Sequence, residues 1–166
     1  LSIVAGVLNL ARFDVRSART QTIGASAIMK WIVSPSQFAP SVDEKTIREA
    51  IAQALVDASD LKERIARRIA DYANIPSIPV PSPIVETFMD AATDATIIEV
   101  RSHDRPALLF GIGDVITNSQ VDIRSAIVTT LGAEAIDTLY VTEIGGGALS
   151  ADRAHDLAAR LTAALA

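Results

Sequence analysis

The stretch Val121-Asp122-Ile123-Arg124-Ser125-Ala126, running on through Leu131-Gly132 to Tyr140-Val141-Thr142, has a second copy in this chain. Phe13-Asp14-Val15-Arg16-Ser17-Ala18, followed by Ile23-Gly24 and Ile32-Val33-Ser34, matches it without a gap. Identical pairs include Asp14/Asp122, Arg16/Arg124, Ser17/Ser125, Ala18/Ala126, Gly24/Gly132, Ala27/Ala135, Ile28/Ile136 and Val33/Val141. A gapless self-match of this length is an internal repeat, and it defines the units of the fold.

Each copy reads as a β-hairpin. In the second, alternation from Val121 to Thr130 assigns Val121, Ile123, Ser125 and Ile127 to one face and Asp122, Arg124 and Ala126 to the other. Leu131-Gly132 supplies the turn, and Ala133 to Thr142 returns with Leu139 and Val141 on one face. The match extends backwards, aligning Leu1–Arg12 with Leu109–Gln120, where Leu108, Ile112, Val115 and Ile116 recur at helical spacing. Asp104 is placed to cap that helix, with Arg105-Pro106 in its first turn, where proline's missing N–H costs nothing. The first copy enters its helix partway, so the expectation is a C-terminal fragment of a longer protein whose first unit is cut short.

Ser41-Val42-Asp43-Glu44 has the form of a capping box, opening a helix with Ile47, Ile51 and Leu55 as its apolar stripe. A second helix, from Asp60 to about Tyr72, would bury Leu61, Ile65 and Ile69. The prolines of the stretch 75–83 make a stiff connector. The expected organisation is therefore a first unit over 1–58, a helix and proline-rich linker over 59–83, and a second unit over 84–166. In that second unit Ile84–Met89 and Thr96–Ser102 are strands joined by a turn over Asp90–Asp94. Ile98 and Val100 point inward, and Ser150 caps a last helix with Ala154, Leu157, Leu161 and Leu165 inside.

Strands and helices in this order make an α+β fold, an antiparallel sheet with helices on one face. The pattern is close to the ferredoxin-like βαββαβ unit. It lacks a strand after the last helix and has an extra one before the first. The extra strand, Ile84–Met89, is predicted to take the place of the missing last strand, beside Thr96–Ser102.

About half the residues are apolar, enough for a packed core, and the net charge is −5. That balance speaks against binding nucleic acid, which relies on Lys and Arg neutralising phosphates. No basic block points to a membrane surface, and no apolar run approaches the roughly 18 residues that would span a bilayer. Cysteine is absent, which excludes disulfides and thiolate chemistry and fits a cytoplasmic setting.

Catalytic signatures are missing: no His-Glu-x-x-His helix, phosphate-binding glycine loop or Gly-x-Ser-x-Gly elbow occurs. Gly111-Ile112-Gly113 lies inside a predicted helix. His103-Asp104 and His155-Asp156 are too few for a metal-dependent hydrolase. The one candidate site is the loop His103-Asp104-Arg105-Pro106-Ala107-Leu108, which joins a strand end to a helix N-terminus where free N–H groups suit a carboxylate. Two readings stand side by side: the loop holds the α-carboxylate of a free amino acid, or Asp104 and Pro106 only start a helix. Asp122 and Arg124 read as a solvated pair or as the lining of an interface with a neighbouring sheet.

Ile98-Glu99-Val100-Arg101-Ser102-His103-Asp104-Arg105-Pro106-Ala107-Leu108-Leu109, with Val121–Ala126 and Asp137–Thr142, resembles an ACT domain. ACT domains are small α+β modules that bind amino acids and regulate metabolic enzymes. The tandem, with its Ile78-Pro79-Val80-Pro81 connector, is similar to the C-terminal end of the PII-protein uridylyltransferase/uridylyl-removing family. The resemblance implies a parent that modifies the nitrogen-signalling PII protein by uridylyl or adenylyl transfer. It also implies glutamine, or another small amino acid, as effector of the ACT pair. No catalytic residue, metal or cofactor is implied within this stretch; Mg2+ and a nucleoside triphosphate would belong to the parent's catalytic domains. Carried over by position, the ligand residues would be Asp104, Arg105, Pro106, Ala107 and Leu108, with Asp122 facing a partner unit. Ala107 stands where the family usually has glycine, and its methyl would crowd an approaching carboxylate. The other reading of the same resemblance is an ACT regulatory or oligomerisation module of another protein, such as an amino-acid-responsive transcriptional regulator. In either case the open hairpin edge of the first unit leads to expected self-association through the sheets.

Overall fold

The structure, a computed structural model, describes residues 1–166 apart from 25, 37–42, 74–79, 90, 91 and 93, and the backbone alone at 72 and 73. In chain order the elements are α1 (Ser2–Leu10), β1 (Phe13–Ile23), β2 (Ser26–Pro35), α2 (Glu44–Val56), α3 (Ser59–Ala73) and β3 (Ile84–Phe88). They continue with β4 (Thr96–His103), α4 (Leu108–Asn118), β5 (Val121–Leu131), β6 (Glu134–Glu143) and α5 (Ala151–Leu165). The strands form one six-stranded antiparallel sheet in the order β2-β1-β5-β6-β4-β3.

This is the α+β arrangement expected of tandem ferredoxin-like units. The added strand β3 lies at the sheet edge beside β4, pairing Ile84 with Arg101 through Phe88 with Ile97, as the sequence reading required. The two repeats meet along β1 and β5, Ser17 through Gln21 pairing with Thr129 through Ser125, so both hairpins belong to one continuous sheet. The repeat is also visible in the backbone. Arg12 and its counterpart Gln120 both turn from helix to strand at positive φ, 60° and 54°. Gly24 and Gly132 close the two hairpins at 59° and 64°.

Two corrections concern faces and caps. A β-bulge interrupts β5 between Ile123 and Ser125, and another interrupts β1 between Val15 and Ser17. A bulge adds one residue to one strand and so reverses the alternation beyond it. Ala126 and Val128 therefore point to the helices, at 1% and 3% exposure, and Ile127 is turned outward at 39%. The α4 cap also differs. The helix begins at Leu108 after Ala107, which adopts left-handed φ 63°, and no side chain caps it. Asp104, Arg105 and Pro106 precede the first turn rather than forming it.

The other helices bury much of what their periodicity implies. Ala154, Leu157, Leu161 and Leu165 line the inside of α5, and Ser150 caps it by accepting from the Arg153 N–H. Asp43 caps α2 by accepting from the Thr46 N–H; the Ser41 of the anticipated capping box lies outside the described residues, as does most of the proline-rich connector. Leu61 and Ile65 are buried as expected, Ile69 and Leu55 stay exposed, and Ala54 is the buried residue of α2.

Two apolar cores result. One gathers Ile98, Val100, Ile112, Ile116, Leu139, Val141, Leu157 and Leu161 from β4, α4, β6 and α5. The other joins Ala5, Val7, Ala18, Ala54, Leu61 and Ile65 to Ala107, Leu109, Phe110 and Val128, and so draws on both repeats. Close helix packing makes that sharing possible. A Cβ at Gly113 would meet Ser2 Cβ at 2.8 Å, and one at Gly6 would meet Ile65 Cδ1 at 2.8 Å. The glycine pair in α4 thus has a packing reason at Gly113, while Gly111 has open space around it.

Candidate functional site

The β4–α4 loop opens onto a cleft of about 440 Å³ at the junction of the two repeats, within the range of roughly 300–1,000 Å³ usual for small-molecule sites. Asp104, Arg105, Pro106, Ala107 and Leu108 form one wall. The first repeat supplies the opposite wall with Asn9, Arg12, Phe13, Asp14 and Val15, and α3 adds Arg68. The floor is Val128, Thr130, Ala135 and Asp137 from β5 and β6.

Asp137 is the unusual residue. It stands on the helix side of β6 between Ala135 and Leu139, 1% exposed, and its Oδ1 has no hydrogen-bond partner among the described residues. Burial, and secondarily the charge of Asp104, pushes its pKa up to about 7. Asp104 lies at the mouth with its carboxyl partly screened from water. Its pKa is also raised, first by burial and then by Asp14 across the cleft, against the lowering pull of His103 and Arg16. Asn9 Oδ1 is likewise buried without a partner among the described residues. An unpaired buried acceptor is costly, about 1–3 kcal/mol for a neutral group, and two of them lining one cleft suit a donor brought by a ligand.

Of the loop residues, Arg105 is partly engaged elsewhere: its Nη2 donates to the Leu165 carbonyl at the end of α5, 3.0 Å away. That contact satisfies a terminal helix carbonyl and places a cation at the negative end of the dipole. Asp104 is held by its backbone, whose N–H donates to the Ala133 carbonyl at 2.8 Å.

Asp122 lies outside this cleft. It lines a second one, of about 270 Å³, with Leu1, Thr20, Thr22, Ala27, Met29, Thr117 and Gln120. The two clefts are counterparts under the repeat: Asp14 matches Asp122, Arg12 matches Gln120, Thr22 matches Thr130, and Ala27 matches Ala135. Thus the residue facing the Asp104 loop from the other unit is Asp14, the repeat mate of the one singled out in the sequence. At the floor, Met29 occupies the position of Asp137. One cleft is lined by carboxyl and guanidinium groups, while its mate has a methionine in place of the buried acid. Nor do Asp122 and Arg124 form a pair. Arg124 is ion-paired with Asp94, and Asp122 is exposed.

Asn9, Arg12, Arg68 and Asp137 were missed in the sequence. Asp137 carried a signal, being a carboxylate set between Ala135 and Leu139 on the inward face of an alternating strand. Among the described residues no group of three or more His, Asp or Glu is placed to hold a metal ion, and no helix is long and apolar enough to cross a membrane.

No protein-family model matches the chain. It is similar to the bifunctional uridylyltransferase/uridylyl-removing enzyme of Streptomyces coelicolor, 34% identical over 99% of this chain. It is similar also to the enzyme of the same description from Erythrobacter litoralis, 31% identical over 92%. The chain is a relative of one segment of the bifunctional uridylyltransferase/uridylyl-removing enzymes. It spans 20% and 17% of the length of these two curated relatives.

Proposed function

We propose that this segment is a regulatory ACT pair of such an enzyme, from its C-terminal end, and that the cleft beside Asp104 binds a free amino acid, with glutamine the first candidate. The observation that supports this best is the buried, unpartnered Asp137 on the floor of a cleft that also presents Asp14, Asp104, Arg12 and Arg68. A zwitterion fits such a lining. Its ammonium would donate to Asp137 and to Asp104 or Asp14, and its carboxylate would face Arg12 and the N-terminus of α4, where N–H groups and the positive dipole end favour an anion. The side-chain amide of glutamine could then donate to Asn9 Oδ1.

In the intact parent, a ligand held between the two repeats would bias the balance between nucleotidyl transfer to the PII protein and its removal. Couplings of this kind are typically about 1–3 kcal/mol. The Mg2+ and nucleoside triphosphate of the reaction would be bound by the catalytic part, which acts in the cytoplasm. Isothermal titration of this chain with glutamine tests the reading: one binding event is expected, weakened at least tenfold by Asp137→Asn. No binding heat from the chain, together with no glutamine response of the parent's transferase activity, would sink it.

A further inference from the structure

The sheet face turned away from the helices carries three rows of side chains that cross all six strands. The middle row reads Lys30, Arg19, Ile127, Thr138, Glu99, Glu86 from one edge to the other. On one side of it runs Ile28, Gln21, Ser125, Tyr140, Ile97, Phe88, and on the other Ile32, Ser17, Thr129, Ile136, Arg101, Ile84. Five of these large apolar side chains are open to solvent: Ile28, Ile32, Ile84, Phe88 and Ile127, at 39–62% exposure. Among the described residues, nothing lies over them.

The charges on this face are sorted by end. Arg19 and Lys30 stand at the β1–β2 end and make no ion pair among the described residues. At the β3–β4 end stand Glu86 and Glu99 with a single cation, Arg101, which pairs with Glu99 at 2.7 Å, so that end is acidic on balance.

We infer that this face is the interface of a symmetric dimer, in which a second copy of the chain stacks sheet to sheet about a two-fold axis parallel to the strands and lying between β5 and β6. That axis sets β2 over β3, β1 over β4 and β5 over β6. Lys30 then meets Glu86 of the second copy, Arg19 meets Glu99, Ile28 meets Phe88 and Ile32 meets Ile84, each contact occurring twice. A two-fold axis running across the strands would instead set Lys30 over Lys30 and Glu86 over Glu86. The area is adequate. Six strands at about 4.8 Å, with some 20 Å of strand length, give roughly 600 Å² per copy, at the low end of specific interfaces. Stacked sheets pack about 10 Å apart with their strands nearly aligned, which suits this axis. The alternative route to self-association, the open edge of β2, would use backbone hydrogen bonds and would ignore the charges.

Sedimentation velocity of the chain over a range of concentrations decides between these. A dimer is expected. Lys30→Glu and Glu86→Lys, each on an exposed strand position away from the core, are expected to weaken it several-fold to about tenfold, as like charges then face each other twice. Mixing the two variants, or combining both changes in one chain, is expected to restore it. Circular dichroism serves to show that each variant is folded. A chain that stays monomeric at high micromolar concentration overturns the inference. So does a dimer that the single reversals leave unchanged, or one that the paired reversals fail to rescue.

Discussion

Arg19 faces Ile127 across the β1–β5 ladder, and the two are each other's counterparts in the repeat. Pairs on either side obey the same rule: Ser17 with Thr129 is the mirror of Gln21 with Ser125. A pseudo-two-fold axis therefore runs between Arg19 and Ile127. The duplicated hairpins are joined as the halves of a symmetric dimer would be, by an interface made within one chain.

The helices α1 and α4 pack together, with Ser2 against Gly113. Gly113→Ala places a methyl 2.8 Å from Ser2 Cβ and 3.1 Å from its Cα, so it is expected to destabilise by about 1–3 kcal/mol through overpacking. Gly111→Ala, two residues away in open space, is expected to stabilise by about 0.5–1 kcal/mol from helix propensity. Urea unfolding midpoints, with an unchanged slope, would show the opposite signs.

Reciprocal hydrogen bonds mark the bulges. Thr130 Oγ1 donates to the Val15 carbonyl at 3.0 Å, and its counterpart Thr22 Oγ1 donates to the Ile123 carbonyl at 3.4 Å. The first is partly buried and the second exposed. Thr130→Val should therefore cost about 1–2 kcal/mol, because a partly buried carbonyl loses its donor, whereas Thr22→Val should stay within about 0.5 kcal/mol. Equal losses in thermal unfolding would contradict the assignment.

Asp137 makes stability depend on pH. Its folded pKa of about 7 lies above the ordinary 3.8, so the folded state holds a proton that the unfolded chain releases. Stability is then greatest below about pH 4. It falls as pH rises from about 4 to about 7 and levels off above, by at most about 4 kcal/mol. Asp137→Asn should flatten this slope and raise stability at pH 8. Denaturant titrations of both proteins at pH 5 and pH 8 measure it, and parallel behaviour of the two would refute the prediction.

Ala107 holds φ 63° at the helix start, a conformation that costs an L-residue roughly 1–2 kcal/mol. Its methyl is 7% exposed and packs in the shared core, which returns about 0.8 kcal/mol. Ala107→Gly is thus expected to leave stability unchanged or raise it by up to about 1 kcal/mol. It is also expected to tighten amino-acid binding, by freeing the backbone for close approach. Titration calorimetry beside thermal unfolding would separate the two effects.

What was legible in the sequence, and what was not, follows from the range of each interaction. Repeat and hairpins were legible in spacing, since Gly24/Gly132 and the apolar stripes act locally, and the place of β3 followed from the strand order of the ferredoxin-like unit. The bulges at Arg16 and Arg124 were hidden, because one extra residue leaves no mark in composition yet reverses every face beyond it; Ile127 was misplaced for that reason. Ala107 took the left-handed position before α4, where an Asp104 cap had looked sufficient. The loop half of the cleft was readable as a strand end meeting a helix start. Its other half is set by how α1, α3 and β1 dock on the second repeat, which no local pattern encodes.

The unequal division of the two cores orders events on the ribosome. The core around Leu139 and Leu157 is built almost wholly from residues after 84. The one around Ile65 and Val7 needs Leu109, Phe110 and Val128, which are translated after it. Within this stretch the repeat that is synthesised first cannot close its core until β5 of the second repeat has followed it. Until α4 and β5 emerge, Leu61 and Ile65 lack the part of their core that Leu109, Phe110 and Val128 supply, a condition in which chaperones find their clients.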